Sequence, residues 1–244
     1  MALLAYTLDE LRALNRHDVR PARPVRKSIF RLRLWQPAHQ RSHSRHRLLA
    51  APGTRPFRTR SAAVIDGLSL GCINARSVGN KAATLCRTIV DEQLDVLVIT
   101  ETWHECSEST ELQRVTPANY KCIDAARPLP PDANVDTLTF HNHGGLAFIY
   151  RQSLKLQKRN VDATVTTFEF LCGFASTASC HFILLGVYRP GSQALSTTFF
   201  DDLSAVFDQL ATYQCPVVVC GDFNVHVDAH DDVYAQRLTQ LLQC

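Results

Sequence analysis

The sequence contains no apolar run long enough to cross a membrane. Its longest apolar stretches have the length of a single strand, as in residues 96–99, whereas a transmembrane helix needs roughly 18 or more apolar residues in a row. The first residues also lack the basic segment that opens a secretory signal, and they soon meet an acidic residue, Asp9. We therefore expect neither a transmembrane helix nor a secretory signal.

The nine cysteines include no C-x-x-C pair, the spacing typical of zinc sites and thioredoxin-like motifs. Their number is odd, and several stand inside apolar runs, where a free cysteine behaves as a small hydrophobic residue. The pattern predicts a reducing compartment and argues against a disulfide framework. His104 and Cys106 are near neighbours, but we do not expect this pair to form a metal site.

Acidic residues are scarce in the first part of the chain. Residues 1–67 hold 13 Arg and 1 Lys against 4 acidic residues, a net charge of +10, whereas residues 68–244 carry −7. We expect residues 1–67 to form a basic, disordered leader with no part in the chemistry. Binding of nucleic acid and mitochondrial import are the alternatives for such a leader.

Regular periodicity begins near Leu68 and predicts an α/β fold. An amphipathic helix at 80–93 stands between two buried strands, 68–76 and 94–100, which is the pattern of a crossover unit. Residues 101–119 and 125–144 are expected as loops. The remaining predicted strands are 120–124, 144–150, 164–175, 181–189 and 216–222, and the remaining helices are 196–213 and 231–242.

Polar side chains stand where several of these strands end. Asn74 ends the first strand and Glu101 the second, Tyr188 ends a later one, and Asp222 and Asn224 follow another. A carboxylate beside a buried strand is costly to desolvate unless something compensates for it. One interpretation is a turn in which these side chains bond their own backbone. The other is a metal and phosphate site at the edge where open α/β sheets bind ligands.

Five short stretches stand in a fixed order along the chain. They are INARS…NK (73–81), ITETW (99–103), GGLAFIYR (144–151), LLGVYRP (184–190) and GDFNVH (221–226). In order and spacing they resemble the endonuclease/exonuclease/phosphatase superfamily. Within it they are most similar to the apurinic/apyrimidinic-type endonuclease domain of non-LTR (LINE-like) retrotransposons. The resemblance spans residues 68 to 242 and implies a DNase I-like four-layer α/β sandwich.

The resemblance also implies Mg²⁺-dependent hydrolysis of phosphodiester bonds in DNA, with Mn²⁺ as an alternative ion. Glu101 would be the metal ligand, and Asn74 would help to hold the metal or the phosphate. Tyr188 would donate to a non-bridging phosphate oxygen, Asp222 would orient or deprotonate the attacking water, and Asn224 would hydrogen-bond the phosphate. A metal and fixed neutral donors suit a transition state that gathers charge on oxygen.

Two cations complete the expected site, because Lys81 and Arg189 would contact DNA phosphates. The expected partners are a DNA substrate and, through the basic leader, the RNA of the element; we expect neither a membrane nor an obligate protein partner. The expected location is intracellular, in the nucleus with some cytoplasm, and mitochondrial import is the alternative.

One family motif is absent from this sequence. The family pattern closes with a further Asp and a Ser-Asp-His, whose histidine is the acid/base partner of the hydrolysis, and no Ser-Asp-His occurs here. His226 and His230 lie too close to Asp222 in sequence to replace it. We therefore expect residues 68–244 to be a partial domain, incomplete at its C-terminal end, with exposed apolar surface and little or no activity.

Two other functions remain open at this point. A decayed retroelement remnant, or a nucleic-acid-binding fragment without catalysis, would also explain the absent histidine motif. A phosphatase or an RNA-processing nuclease would share the same fold and most of the same motifs.

Overall fold

The computed structural model describes residues 27–32, 68–127, 143–177, 181–227, 229 and 231–243. Its strands are β1 (Lys27–Leu32), β2 (Leu68–Asn74), β3 (Val96–Thr100), β4 (Tyr120–Ala125), β5 (Leu146–Arg151), β6 (Gln157–Lys158), β7 (Glu169–Ser176), β8 (His181–Tyr188) and β9 (Val217–Asp222). Its α-helices are α1 (Ala82–Asp91), α2 (Thr110–Val115), α3 (Thr197–Leu210) and α4 (Val233–Gln243), and single 3₁₀ turns occur at Gly79–Lys81 and Gln152–Leu154.

The strands form two mixed sheets. The first has the order β1-β2-β3-β5-β4 and the second the order β6-β7-β8-β9. The pair β2–β3 is parallel and is joined through α1, and the pair β8–β9 is parallel and is joined through α3; the other described pairs are antiparallel. Parallel neighbours need such helical crossovers, so each sheet is covered by helices on its outer face.

Side chains alternate between two cores along the central strands. In β3, Val98 packs between the two sheets, whereas Ile99 packs with α1 and α2. In β8, Leu184 packs between the sheets, whereas Leu185 packs with α3 and α4. Because a strand shows successive side chains to opposite faces, the result is a helix–sheet–sheet–helix stack. The four-layer α/β sandwich predicted from the sequence is confirmed.

Besides the short strand β6, which was not predicted, three local features differ from the predictions. Lys27–Leu32, which fall within the predicted leader, form an edge strand antiparallel to β2, whereas residues 1–26 and 33–67 lie outside the described residues. Edge pairing uses backbone groups that every residue has, so periodicity is a weak signal for it. Residues expected as a loop contain α2, whose first turn is capped by the Ser109 hydroxyl accepting from the Leu112 amide at 3.4 Å.

The third difference is the start of β7, which is Glu169 rather than residue 164. The carboxylate of Asp202 on α3 accepts from the backbone amides of Thr166 and Thr167 at 2.9 and 3.1 Å. Amides bonded in this way to a helix side chain are not free for a sheet ladder. The helix therefore shortens the strand.

Few large apolar side chains are exposed in the described part of the chain. They are Val90 on α1, Tyr213 in the turn after α3 and Val233 at the start of α4. The edge strand β9 adds half-buried side chains such as Val219 and Cys220. No described helix is both long enough and apolar enough to span a membrane. The apolar exposure expected from the sequence is thus limited, among these residues, to scattered positions.

Gly186 of β8 gives a test of the packing between the sheets. A Cβ atom at Gly186 would lie 2.6 Å from Cε1 of Phe148, which is fully buried. We predict that Gly186→Ala lowers the free energy of unfolding by about 1–3 kcal/mol, the usual cost of overpacking a core. Urea unfolding followed by circular dichroism measures this change.

Gly79→Ala is the matched control, because a Cβ at Gly79 would meet only Ser77 Oγ, at 3.5 Å. We expect that variant to change stability by less than about 0.5 kcal/mol. Equal effects of the two substitutions would contradict the packing described here.

Candidate active site

The candidate site lies where the inner faces of the two sheets reach a common edge. Asn74 follows Leu70 and Cys72 on the inner face of β2, and Asp222 follows Val218 and Cys220 on the inner face of β9. Side chains two residues apart share a face, so both residues point between the sheets. Tyr188, at the end of β8, is also packed between the sheets. Strand ends far apart in sequence thus converge.

Four of the predicted site residues form one network. Asn74 Nδ2 donates to Glu101 Oε1 at 2.7 Å and to Asp222 Oδ2 at 2.7 Å. The Tyr188 hydroxyl lies near the Glu101 carboxylate and interacts with it electrostatically. One amide group therefore holds two carboxylates, one from each sheet, at the same point. This is the convergence that the strand-end pattern predicts.

Glu101 occupies a tight turn directly after β3. Its φ of 51° lies in the left-handed region, which costs a residue with a Cβ roughly 1–2 kcal/mol. The turn is held by backbone bonds that continue the β2–β3 pairing past the strand ends. Ser77 N donates to Glu101 O at 2.8 Å, and Val78 N donates to Thr102 O at 3.1 Å.

A buried polar chain anchors the far side of the same turn. Thr102 Oγ1 lies 2.6 Å from His104 Nδ1, and His104 Nε2 lies 2.9 Å from Asp124 Oδ2 on β4. Burial alone would raise the pKa of Asp124, but the hydrogen bond from His104 holds that pKa below its usual value. His104 is therefore a hydrogen-bonded core histidine, whereas Cys106 is exposed. The only sequence signal for this set of hydrogen-bonded side chains was a histidine three residues after Glu101.

The turn after β9 shows one of the two interpretations that the sequence leaves open, a turn whose side chains bond the backbone. Asp222 Oδ1 accepts from Asn224 N at 3.1 Å, which closes an Asx turn, and Asp222 Oδ2 accepts from Asn74. Asn224 has a left-handed φ of 48° and is exposed. Its side-chain amide donates to the backbone oxygen of Arg189 at 2.6 Å. A phosphate contact by Asn224 stays a prediction.

Arg189 braces this turn from inside. It is 5% exposed, and its guanidinium donates to the backbone oxygens of Phe223 at 2.8 Å, Asn224 at 2.6 Å and Gln193 at 2.7 Å. Burial lowers the pKa of this guanidinium. These contacts argue against the predicted direct contact between Arg189 and DNA phosphates, because the group is occupied by the protein backbone.

The second predicted cation is also used internally. Lys81 Nζ donates to the backbone oxygens of Ala75 and Arg76, the latter at 3.0 Å. It thereby fastens the loop that follows Asn74, and it is partly exposed. The structure places a cation that the sequence did not indicate, Arg127, beside the site, with its guanidinium carbon 5.8 Å from the centre of the Tyr188 ring.

His226 is exposed and lies in the loop after β9, and no described hydrogen bond joins its side chain to the network. His230 lies outside the described residues.

The donor atoms of the site suit a hard divalent cation. Glu101 and Asp222 offer carboxylate oxygens close together, and Mg²⁺ is commonly bound through one or two carboxylates while it keeps several waters. Within the described ranges, no three His, Cys, Asp or Glu side chains form a cage for a metal ion. Asn74 presents its nitrogen to the carboxylates, so in this arrangement it holds the two carboxylates in place.

Tyr188 is a neutral hydrogen-bond donor over a wide pH range. Burial, together with the nearby negative charge of Glu101, raises the pKa of Tyr188 to about 12. We predict that Glu101→Gln lowers this pKa, because it removes the negative charge that disfavours the phenolate. Ultraviolet titration of phenolate absorbance measures the shift. Subtracting the titration of Tyr188→Phe, made both in the unaltered chain and in Glu101→Gln, isolates the contribution of Tyr188.

The control for this titration is Glu105→Gln, which changes an exposed glutamate four residues further on. We expect it to leave the Tyr188 titration unchanged. A Tyr188 pKa that did not respond to Glu101→Gln would contradict the electrostatic interaction between these two side chains.

Residues 71–242 match the model of a family described as the Endonuclease/Exonuclease/phosphatase family. No curated protein matches the chain significantly.

Similar solved structures are distant in sequence. The endonuclease domain of TRAS1, a telomere-specific non-LTR retrotransposon, is 13% identical, with a TM-score of 0.48 over 70% of each chain. The AP endonuclease LMAP from Leishmania major is 14% identical, with a TM-score of 0.49 over 70% of this chain and 64% of that one. The human Nocturnin catalytic domain with bound sulfate is 16% identical, with a TM-score of 0.45 over 70% and 73%. The family match covers more than half of the sequence, and the chain therefore belongs to the Endonuclease/Exonuclease/phosphatase family.

Proposed function

We propose that this chain is a Mg²⁺-dependent hydrolase of phosphodiester bonds that nicks DNA, as an endonuclease of a non-LTR retrotransposon. The observation that supports it is the Asn74 amide, which holds Glu101 and Asp222 together at 2.7 Å each. Family members are nucleases and phosphatases, and paired carboxylates beside a neutral donor suit chemistry at a phosphate.

Each side chain of the network has a proposed role. Glu101 would hold the Mg²⁺ ion, which when bound polarises the phosphate, and Mn²⁺ suits the same oxygen ligands. Asp222, kept in place by Asn74 and by the Asn224 amide, would orient and deprotonate the attacking water. The Tyr188 hydroxyl would donate a hydrogen bond to a phosphate oxygen, because its pKa of about 12 keeps it protonated.

The first test is nicking of supercoiled plasmid by the 244-residue chain, with enzyme in excess so that slow turnover is detected. We expect Mg²⁺-dependent nicking that EDTA abolishes. Asp222→Asn should lower the rate by roughly 100-fold or more, the usual effect of losing a general base. Asp208→Asn, an exposed aspartate on α3, is the control and should leave the rate unchanged.

Nicking that survived EDTA or Asp222→Asn would contradict the proposed mechanism. Release of inorganic phosphate from a 3′-phosphorylated oligonucleotide, or cleavage of RNA in preference to DNA, would instead favour a phosphatase or an RNA-processing nuclease. Salt-dependent DNA binding without any cleavage would favour a non-catalytic fragment. The low activity expected from the sequence stays a prediction, which the single-turnover rate measures.

Metal binding gives a prediction that does not depend on turnover. We expect the chain to bind Mn²⁺ and Glu101→Gln to weaken that binding by about tenfold or more, because a neutral amide replaces a carboxylate ligand. Electron paramagnetic resonance of free Mn²⁺ measures the dissociation constant. Glu105→Gln is the control, and equal affinities in all three proteins would contradict a metal site at Glu101.

Two further proposals concern partner and location. The first is that the basic residues 1–67 bind retroelement RNA. The second is that the protein is located in the nucleus. The charge of that segment, +10, supports the first, and a DNA substrate supports the second. Filter binding of RNA over a range of salt concentrations, with and without residues 1–67, tests the first. Imaging of a fluorescent fusion tests the second.

A further inference from the structure

Glu169 carries a largely buried carboxylate. The sequence did not indicate this residue as part of the site. It opens β7 directly opposite Tyr188 of β8, and its side chain is 19% exposed. Its two oxygens have different partners. Oε1 accepts from Arg127 Nε at 2.6 Å, and Oε2 accepts from the backbone amide of Gly145 at 2.7 Å.

The hydrogen bond to Gly145 connects Glu169 to the turn at Glu101, because the backbone at Gly145 is bonded to the backbone of that turn. The oxygen of Gly145 accepts from Thr102 N at 3.2 Å, and the oxygen of Gly144 accepts from Trp103 N at 2.9 Å. Glu169 belongs to the second sheet, whereas the turn follows β3 of the first sheet. The chain from Glu169 through Gly145 to Thr102 therefore ties the turn of one sheet to the other sheet.

The glycine at position 145 makes this close approach possible. Its φ is +88°, and a Cβ atom there would lie 2.6 Å from Thr102 Oγ1. The backbone of Gly145 can therefore lie against the Thr102 side chain while the Gly145 amide points at Glu169. The residue after Glu101 is consequently in contact with Gly145 through both its backbone and its side chain.

The bond to Arg127 reaches Tyr188. The Arg127 side chain is 29% exposed and forms an ion pair with Glu169, and its guanidinium carbon stands 5.8 Å from the centre of the Tyr188 ring. A guanidinium over an aromatic ring is attracted to its face. Glu169 thus fixes the cation that packs on Tyr188, and Tyr188 in turn lies near the Glu101 carboxylate.

We propose that Glu169 is a positioning residue that acts through Gly145 on Glu101 and through Arg127 on Tyr188. The proposal rests on the proposed function as far as catalysis is concerned. Glu169 touches neither Asp222 nor Asn74 in any described contact, so its effect is indirect. It holds two members of the network in place from the opposite sheet.

The test compares Glu169→Ala with the isosteric Glu169→Gln, using Glu108→Ala at an exposed glutamate as the control. Hydrogen exchange of the Thr102 and Trp103 amides, measured by NMR, reports on the turn. We expect Glu169→Ala to speed their exchange by about tenfold, since a hydrogen bond to a charged group is lost. Glu169→Gln keeps an oxygen for the Gly145 amide and should have a smaller effect. Leu185 N, in the core of β8, is the internal reference and should be unchanged.

Activity supplies the second measurement. We expect Glu169→Ala to lower kcat of Mg²⁺-dependent nicking by about tenfold with little change in KM, because misplaced ligands affect the chemical step. We also expect weaker Mn²⁺ binding, and Glu169→Gln should recover part of both losses.

Unchanged exchange at Thr102 and Trp103 in Glu169→Ala would overturn the proposal. So would a general acceleration that includes Leu185, because that would be a loss of overall stability. If the unaltered chain neither nicks DNA nor binds Mn²⁺, the proposed function fails, and the exchange rates still decide whether Glu169 holds the turn.

Discussion

The Asn74 amide between two carboxylates is the interaction on which the site depends. Glu101 belongs to the first sheet and Asp222 to the second, and their like charges would repel each other without a donor between them. One side-chain nitrogen donates to both at 2.7 Å. Hydrogen bonds to charged groups are among the stronger ones in proteins, at about 1.5–3 kcal/mol each. The bond pair therefore links the two sheets at the edge where the chemistry is proposed.

The rest of the site keeps this arrangement rigid. Glu101 adopts a left-handed backbone conformation that is unfavourable for a residue with a Cβ, and such strain persists only where neighbouring structure overdetermines it. The buried His104–Asp124 bond braces the first turn, and the guanidinium of Arg189 braces the second. These residues contribute through geometry, which a catalytic site needs because small displacements of ligands cost rate.

Cations illustrate what residue type alone leaves open. Lys81 and Arg189 stand beside site motifs in the sequence, yet both donate to backbone oxygens, and Arg189 is almost entirely buried. Arg127 stands at the start of a long polar stretch, with no motif to mark it, and the fold places it against Tyr188. A sequence shows the charge of lysine and arginine but not whether the side chain faces solvent or protein. Only the structure shows how far each of these cations is buried.

The sequence by itself determined the α/β class, nearly all of the central strands and helices, and the polar residues at the strand ends. Those features follow from local periodicity and from residue type, which need no knowledge of distant neighbours. Only the tertiary structure decided which strand ends meet, since Asn74 and Asp222 are 148 positions apart. It also decided the pairing of β1 and the place of Glu169, because a backbone edge and a single carboxylate carry no local pattern. Contacts between distant segments depend on how whole layers pack, and that information lies in the fold.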